Sequence, residues 1–205
     1  MNAHTERLQV EGPAGAIACA VDKPEGGAAS RGTVVLCHPH PVHGGTMDNK
    51  VVQTLARAFV QLGWRSVRFN FRGIGGSAGA WDEGRGEVED ALAVIAALRE
   101  PGKPLLLGGF SFGGYVASQA ARRLPPEQRA GRLVLIAPAT SNFDVANVPE
   151  DTLVIHGESD DVVPLQATLD WARPQSLPIV VVPGVGHFFH GQLALLKTLV
   201  VRAFG

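Results

Sequence analysis

Three kinds of side chain that together can transfer an acyl group stand at glycine-rich breaks in this chain. They are Ser111, the acidic run His156-Gly157-Glu158-Ser159-Asp160, and His187, in that order. A serine hydroxyl is a poor nucleophile at neutral pH, so it needs a base such as His187 to take its proton. The imidazole in turn needs a carboxylate to fix its tautomer and steady the positive charge it gains. Ser111 lies in Leu105-Leu106-Leu107-Gly108-Gly109-Phe110-Ser111-Phe112-Gly113-Gly114-Tyr115, an apolar run that breaks at glycines around one serine. Gly109, Ser111 and Gly113 complete a G-x-S-x-G elbow, a turn so tight that side chains at the glycines would collide with the neighbouring strand and helix. The small-residue stretch from Tyr115 to Arg123 continues as a helix whose N-terminus offers free amides and partial positive charge beside the serine oxygen, which suits an anionic intermediate.

The elements that must hold these groups follow from the apolar pattern. Two opening strands are predicted near Leu8 to Glu11 and Ile17 to Asp22, then a strand from Thr33 to Cys37. Val52, Leu55, Phe59 and Leu62 keep helical spacing until Gly63. The unit then repeats. A strand from Ser66 to Phe71 precedes a helix carrying Val88, Leu92, Ile95 and Leu98, and a strand from Pro104 to Phe110 precedes the helix after Ser111. Strands Arg132 to Ala137, Thr152 to His156 and Pro178 to Val182 follow, with helices from Pro164 and from about Gly191 to Phe204. The Gly-rich patch Pro24 to Gly32 reads as a strand connection, too short for a linker. The alternation predicts one α/β domain over residues 1–205, a mostly parallel central sheet with helices on both faces. In such a sheet, reactive groups gather at the C-terminal strand ends. Those ends here are His38-Pro39-His40-Pro41, Ser111, the acidic run and Gly184-Val185-Gly186-His187. Arg68 and Asn70, in a strand meant to be buried on both faces, have no explanation in the sequence.

The order Ser, Asp, His and these loops resemble the α/β-hydrolase family from about Thr33 to the C-terminus. The run from His156 to Pro164 resembles the family's acid loop, with the acid three residues after the glycine, at Asp160. Gly184-Val185-Gly186-His187-Phe188 resembles its histidine loop, and Arg72-Gly73-Ile74-Gly75-Gly76-Ser77 its turn after the fourth strand. His38-Pro39-His40-Pro41, Gly44-Gly45 and Met47-Asp48-Asn49 are similar to small cap-less bacterial serine hydrolases near the dienelactone hydrolase-like group. The nucleophile of dienelactone hydrolases proper is cysteine, which speaks against a lactone substrate. The resemblance implies an oxyanion hole made by the amide of Phe112 and one amide from the loop after the third strand. That amide falls at His40, where Pro39 and Pro41 have no N–H to give, with Val42 as the fallback.

Each residue also has a duller reading. Asp161 competes with Asp160 for the acid role, but the spacing favours Asp160 and leaves Asp161 as a helix N-terminal charge next to Pro164. Glu158 reads as solvated, His156 as a structural histidine, and His190 as an alternative base only if its loop ran a turn further. His38, His40 and His43 could be metal ligands, but three of them on one proline-stiffened loop without a nearby acid make a poor site. Phe110, Phe112, Tyr115, Trp81, Phe143, Phe188 and Phe189 divide between core and acyl pocket, with Phe112 and Phe188 the better pocket candidates.

Composition bounds the partners. The 205 residues carry a net charge of -1, which leaves no electrostatic footprint for nucleic acid or an anionic membrane. Cys19 and Cys37 lack metal or redox spacing and read as buried thiols in a reducing compartment. No apolar run has signal-peptide or membrane-spanning length, so the expected location is the cytoplasm. The expected activity is a serine hydrolase cleaving a small-molecule acyl substrate, a carboxylic ester first, through Ser111, His187 and Asp160, with no cofactor and no metal. A thioesterase, a small-substrate peptidase or amidase, and a non-catalytic binding module are the alternatives. The oligomeric state is not written in the sequence. Thr140 to Asp151 is too short for a helical cap, so an open site is expected.

Overall fold

The computed structural model describes residues 5–24, 26 and 28–205. Its strands are β1 (Glu6–Gly12), β2 (Gly15–Asp22), β3 (Thr33–Cys37), β4 (Arg65–Phe69), β5 (Leu105–Phe110), β6 (Arg132–Ile136), β7 (Leu153–Gly157) and β8 (Ile179–Val182). They form one eight-stranded sheet in the order β1-β2-β4-β3-β5-β6-β7-β8. The hairpin β1–β2 and the β2–β4 pair are antiparallel, and every other pair is parallel. β3, β5 and β6 are apolar almost throughout because both of their faces are covered.

The helices are α1 (Lys50–Gln61), α2 (Arg85–Leu98), α3 (Phe112–Arg123), α4 (Leu165–Ala172) and α5 (Leu193–Phe204). Alternate strand residues feed two cores. Val35, Val67, Leu107 and Leu135 pack with Val94 and Ile95 of α2, Val116 of α3 and Ala172 of α4. Val34, Leu36, Leu106 and Val134 pack on the other face with Leu55 and Phe59 of α1 and Leu196 and Val200 of α5. At about 25 cal/mol per Å² of buried apolar area, these layers are the main stabilising force. The sheet with helices on both faces matches the expected class.

Element ends differ in instructive places. β4 stops at Phe69, two residues before the expected Phe71. Asn70 leaves the ladder because its side chain and carbonyl are engaged elsewhere: Oδ1 accepts the Met47 amide at 2.9 Å, and O accepts the Ser77 hydroxyl at 2.7 Å. α3 begins at Phe112, immediately after the serine, so no spacer separates elbow and helix. The expected connection Pro24 to Gly32 includes Glu25 and Gly27, which lie outside the described residues. The stretch 137–152, between β6 and β7, contains no helix, so that connection supplies no helical cap over the strand ends.

Candidate active site

β5 delivers Ser111 at the centre of the sheet with φ 56° and ψ −120°, a backbone geometry that costs roughly 1–3 kcal/mol unless its surroundings enforce it. They do. The Ser111 amide donates to the Ile136 carbonyl at 2.9 Å, and its carbonyl accepts the amides of Gly114 and Ala139 at 2.8 and 3.2 Å. The elbow also needs its two flanking glycines. A Cβ on Gly109 would stand 2.1 Å from the Gly113 carbonyl oxygen, and one on Gly113 would stand 2.2 Å from that of Cys37. Ser111 is mostly buried, at 8% exposure.

The loop after β7 carries Asp160 to the same edge. Asp160 Oδ1 accepts the amides of Val162 and Val163 at 2.9 and 2.7 Å, while Oδ2 faces His187 Nδ1 at 2.7 Å. The structure therefore brings Asp160 and His187 together and leaves Asp161 exposed outside the pair. Burial pushes the Asp160 carboxyl up, but hydrogen bonds from His156, His187 and the Val163 amide outweigh it and hold the group well below the usual carboxylate range. Glu158 is exposed as expected, yet it is not merely solvated: it accepts the Gly184 amide at 2.9 Å and so ties the acid loop to the histidine loop.

The His187 ring is buried against Phe110 and Phe188, with centroids 4.9 and 5.0 Å away. With Nδ1 held by Asp160, Nε2 is the nitrogen left for a substrate-side proton. Among the described residues, no hydrogen bond joins Nε2 to Ser111 Oγ; such contacts commonly tighten only when substrate binds. His190 is exposed and borders Phe188, away from Asp160.

On the other side of Ser111, the amides of Phe112 and His40 make no hydrogen bond to any described backbone group. The first is the opening N–H of α3, which lies at the positive end of the helix. The second opens a short 3-10 turn, Pro41–His43, and the His40 carbonyl accepts the amides of His43 and Gly45 at 3.1 and 3.0 Å. This loop then runs into α1 through Asn49, whose side chain caps the Val51 and Val52 amides.

The aromatic residues sort differently from expectation. Phe112 is fully buried, packed on Trp81, Phe143 and the His40 ring at 5.2, 5.0 and 5.2 Å, so its ring belongs to the core and not to a pocket wall. Its direction is set by the first turn of α3, which faces the sheet. Phe110 and Phe189 are core as well. Phe188, at 46% exposure, borders a groove of about 370 Å³ lined by Val162, Pro183, His187, His190 and Gln192.

The three histidines after β3 do not converge on one point. His38 is fully buried, with Nδ1 2.6 Å from the Pro39 carbonyl oxygen and Nε2 accepting the Phe71 amide at 3.1 Å. Desolvation pushes its pKa down to about 4, against the upward pull of the Pro39 carbonyl. His40 and His43 face each other at 4.6 Å, and desolvation, then the His43 charge, lowers the His40 pKa. Among the described residues no three His, Cys, Asp or Glu side chains are grouped to hold a metal ion.

Sequence reasoning missed two features that shape this site. One is His156, whose Nε2 lies 3.3 Å from Asp160 Oδ2. The other is the pair Arg68 and Asn70, which anchor the loop leading from His40 to α1. A charged residue inside an apolar strand was the available signal for Arg68. It lacked only its partners.

A serine elbow at the centre of a mostly parallel sheet, with helices on both faces, defines an α/β serine hydrolase. Residues 28–147 match the family described as serine aminopeptidase, S33, and the chain belongs to that family. The matched span includes His40 and Ser111 and stops before Asp160. A solved α/β serine hydrolase without lid from Xanthomonas campestris is 39% identical, covering 99% of this chain and 94% of that one, with a TM-score of 0.88. An α/β serine hydrolase homologue from Coxiella burnetii is 38% identical, covering 98% and 97%, with a TM-score of 0.83. An uncharacterized protein of Rickettsia prowazekii is 31% identical over 171 residues, 76% of this chain and 71% of its own length. Among the described residues no helix is long and apolar enough to cross a membrane.

Proposed function

We propose that this protein hydrolyses carboxylic esters of small molecules through Ser111, His187 and Asp160. Ser111 Oγ attacks the acyl carbon as its proton passes to His187 Nε2, and the alcohol leaves with that proton. Water then attacks the acyl-enzyme, gives its proton to His187 and releases the acid, after which the proton returns to Ser111. The amides of Phe112 and His40 receive the oxyanion in both tetrahedral intermediates. Every step uses a group of the chain, so the reaction calls for no cofactor.

The observation that carries this reading is the 2.7 Å contact between His187 Nδ1 and Asp160 Oδ2 at the strand-end edge to which Ser111 is delivered. It fixes the imidazole in the tautomer whose free nitrogen can serve as base. The absence of a cap over the 137–152 connection favours short acyl groups, because methylenes beyond the groove stay in water and add little of the ~0.8 kcal/mol each could contribute if buried. Buried free Cys19 and Cys37 fit a reducing, cytoplasmic setting; desolvation raises both thiols, Cys19 to about 12.

Aminoacyl amide hydrolysis is a second reading, favoured by the description of the family as serine aminopeptidases. The same groups would serve, with an amine leaving in place of an alcohol. Two measurements on one purified sample test these readings. A fluorophosphonate should label Ser111 alone, and p-nitrophenyl esters should turn over faster than acyl thioesters or aminoacyl amides. Labelling of another serine, or of none in folded protein, would return the chain to the binding-module reading.

A further inference from the structure

The mechanism above leaves one buried imidazole at the centre of the site without a task. His156, the penultimate residue of β7, has no solvent exposure, and its Nε2 lies 2.9 Å from the Val163 carbonyl oxygen and 3.3 Å from Asp160 Oδ2. Its Nδ1 is buried and has no hydrogen-bond partner.

These contacts choose between the two tautomers of a neutral ring. A proton on Nδ1 would be buried with no acceptor, while the Nε2 lone pair would confront two oxygens. A proton on Nε2 serves both oxygens, and the bare Nδ1 is the smaller loss. His156 is therefore a donor to Asp160. It donates to Oδ2, the same oxygen that takes the proton of His187 Nδ1.

We infer that His156 is a positioning residue that acts on His187 through Asp160. It rests on the proposed serine-hydrolase reading. With Oδ1 held by two amides and Oδ2 by two imidazoles, the carboxylate meets four donors and cannot turn about its Cβ–Cγ bond. The extra donor also spreads the charge of Oδ2. When His187 takes the serine proton, Asp160 then remains an acceptor and does not draw the Nδ1 proton onto itself, which keeps the imidazolium intact for the leaving group. The arrangement holds the ring for a step that occurs only after substrate has bound, so its loss falls on kcat and leaves KM nearly unchanged.

The test compares wild type, His156→Leu and His156→Gln by p-nitrophenyl acetate kinetics and by the rate of fluorophosphonate labelling, with thermal unfolding measured alongside. The expected result for His156→Leu is a kcat lower by roughly 10- to 100-fold, as for loss of one hydrogen bond to a charged group, with KM within about twofold. His156→Gln can present an N–H near the position of Nε2 and should recover most of that kcat. A His156→Leu protein that is folded and keeps wild-type kcat would overturn the inference, as would a folded His156→Gln that fails to recover it. If His156→Leu does not fold, the imidazole ¹⁵N–¹H spectrum of wild type decides, since a proton on Nδ1 of His156 leaves Asp160 without this donor. Wild type that neither labels at Ser111 nor turns over would bring down the hydrolase reading and this inference with it, whereas active wild type with an indifferent His156→Leu brings down the inference alone.

Discussion

Arg68, in the middle of the sheet, donates from Nη1 to the main-chain carbonyl of Met47 at 2.9 Å. The amide of the same residue donates to Asn70 Oδ1 at 2.9 Å, so both polar groups of Met47 are clamped from the β4 side. Arg68 also reaches Asp48 and Asp22, each at 3.1 Å. The loop that runs from His40 to α1 is thereby pinned to the sheet seven residues beyond its candidate oxyanion amide.

The Arg68–Asp22 pair is nearly dry, with side-chain exposures of 3% and 4%, so removing Arg68 strands the charge of Asp22. Arg68→Met should cost about 3–5 kcal/mol in urea unfolding, and the double change Arg68→Met with Asp22→Asn should recover a substantial part of it. Equal stability of the single and double variants would mean that removing Arg68 leaves no uncompensated charge on Asp22.

Ser111→Ala and His187→Ala should each reduce kcat by about 10⁴-fold or more, because the proposed mechanism has the three groups act as a unit. Asp160→Asn should cost less than either, and far more than Asp161→Asn, since only Asp160 contacts His187. Steady-state kinetics on variants of matched thermal stability decide the order. A larger loss in Asp161→Asn would move the acid by one residue.

The strain at Ser111 makes a prediction separate from activity. Its positive φ suits glycine far better than alanine, so Ser111→Gly should be more stable than Ser111→Ala by about 1 kcal/mol, although the proposed mechanism makes both inactive. Calorimetry of the two variants provides the comparison. If Ser111→Gly is the less stable, its greater freedom in the unfolded chain outweighs the strain relieved.

What could be read from the sequence was what local pattern encodes. Runs such as Val34-Val35-Leu36 mark doubly covered strands because both core layers select for them, and Gly109 and Gly113 mark the elbow because backbone atoms come within about 2.2 Å of any Cβ there. Contacts made by chain reversal were not legible. Arg68 finds Asp22 and Asp48 at separations of 46 and 20 residues, and no periodicity carries that information. His156 meets Asp160 only because the loop 158–163 folds back on the end of β7. Phe112 looked like a pocket residue by its place beside the nucleophile, but helix phase, not adjacency, sets which way a ring points.

The last prediction concerns acid. His38 is neutral in the native state down to about pH 4 because burial opposes its charge, and because its Nε2 is occupied as acceptor for the Phe71 amide. In the unfolded chain the same ring takes up a proton near its ordinary 6.5. Above that value both states are neutral and the difference vanishes. As pH falls from 6.5 towards 4, the unfolded chain binds a proton that the native protein refuses, so stability declines by as much as about 3 kcal/mol and this contribution levels off below 4. The depressed Asp160 works in a lower window: its stabilisation is present above the ordinary 3.8 and is lost only as pH falls from there. His40, also lowered, acts in the same direction as His38. His38→Gln, which can offer an amide oxygen to the Phe71 N–H without titrating, isolates the one contribution. Urea unfolding at pH 7, 5.5 and 4.5 should show a shallower decline in this variant than in wild type, and parallel declines would mean that His38 is protonated in the folded protein as readily as in the unfolded chain.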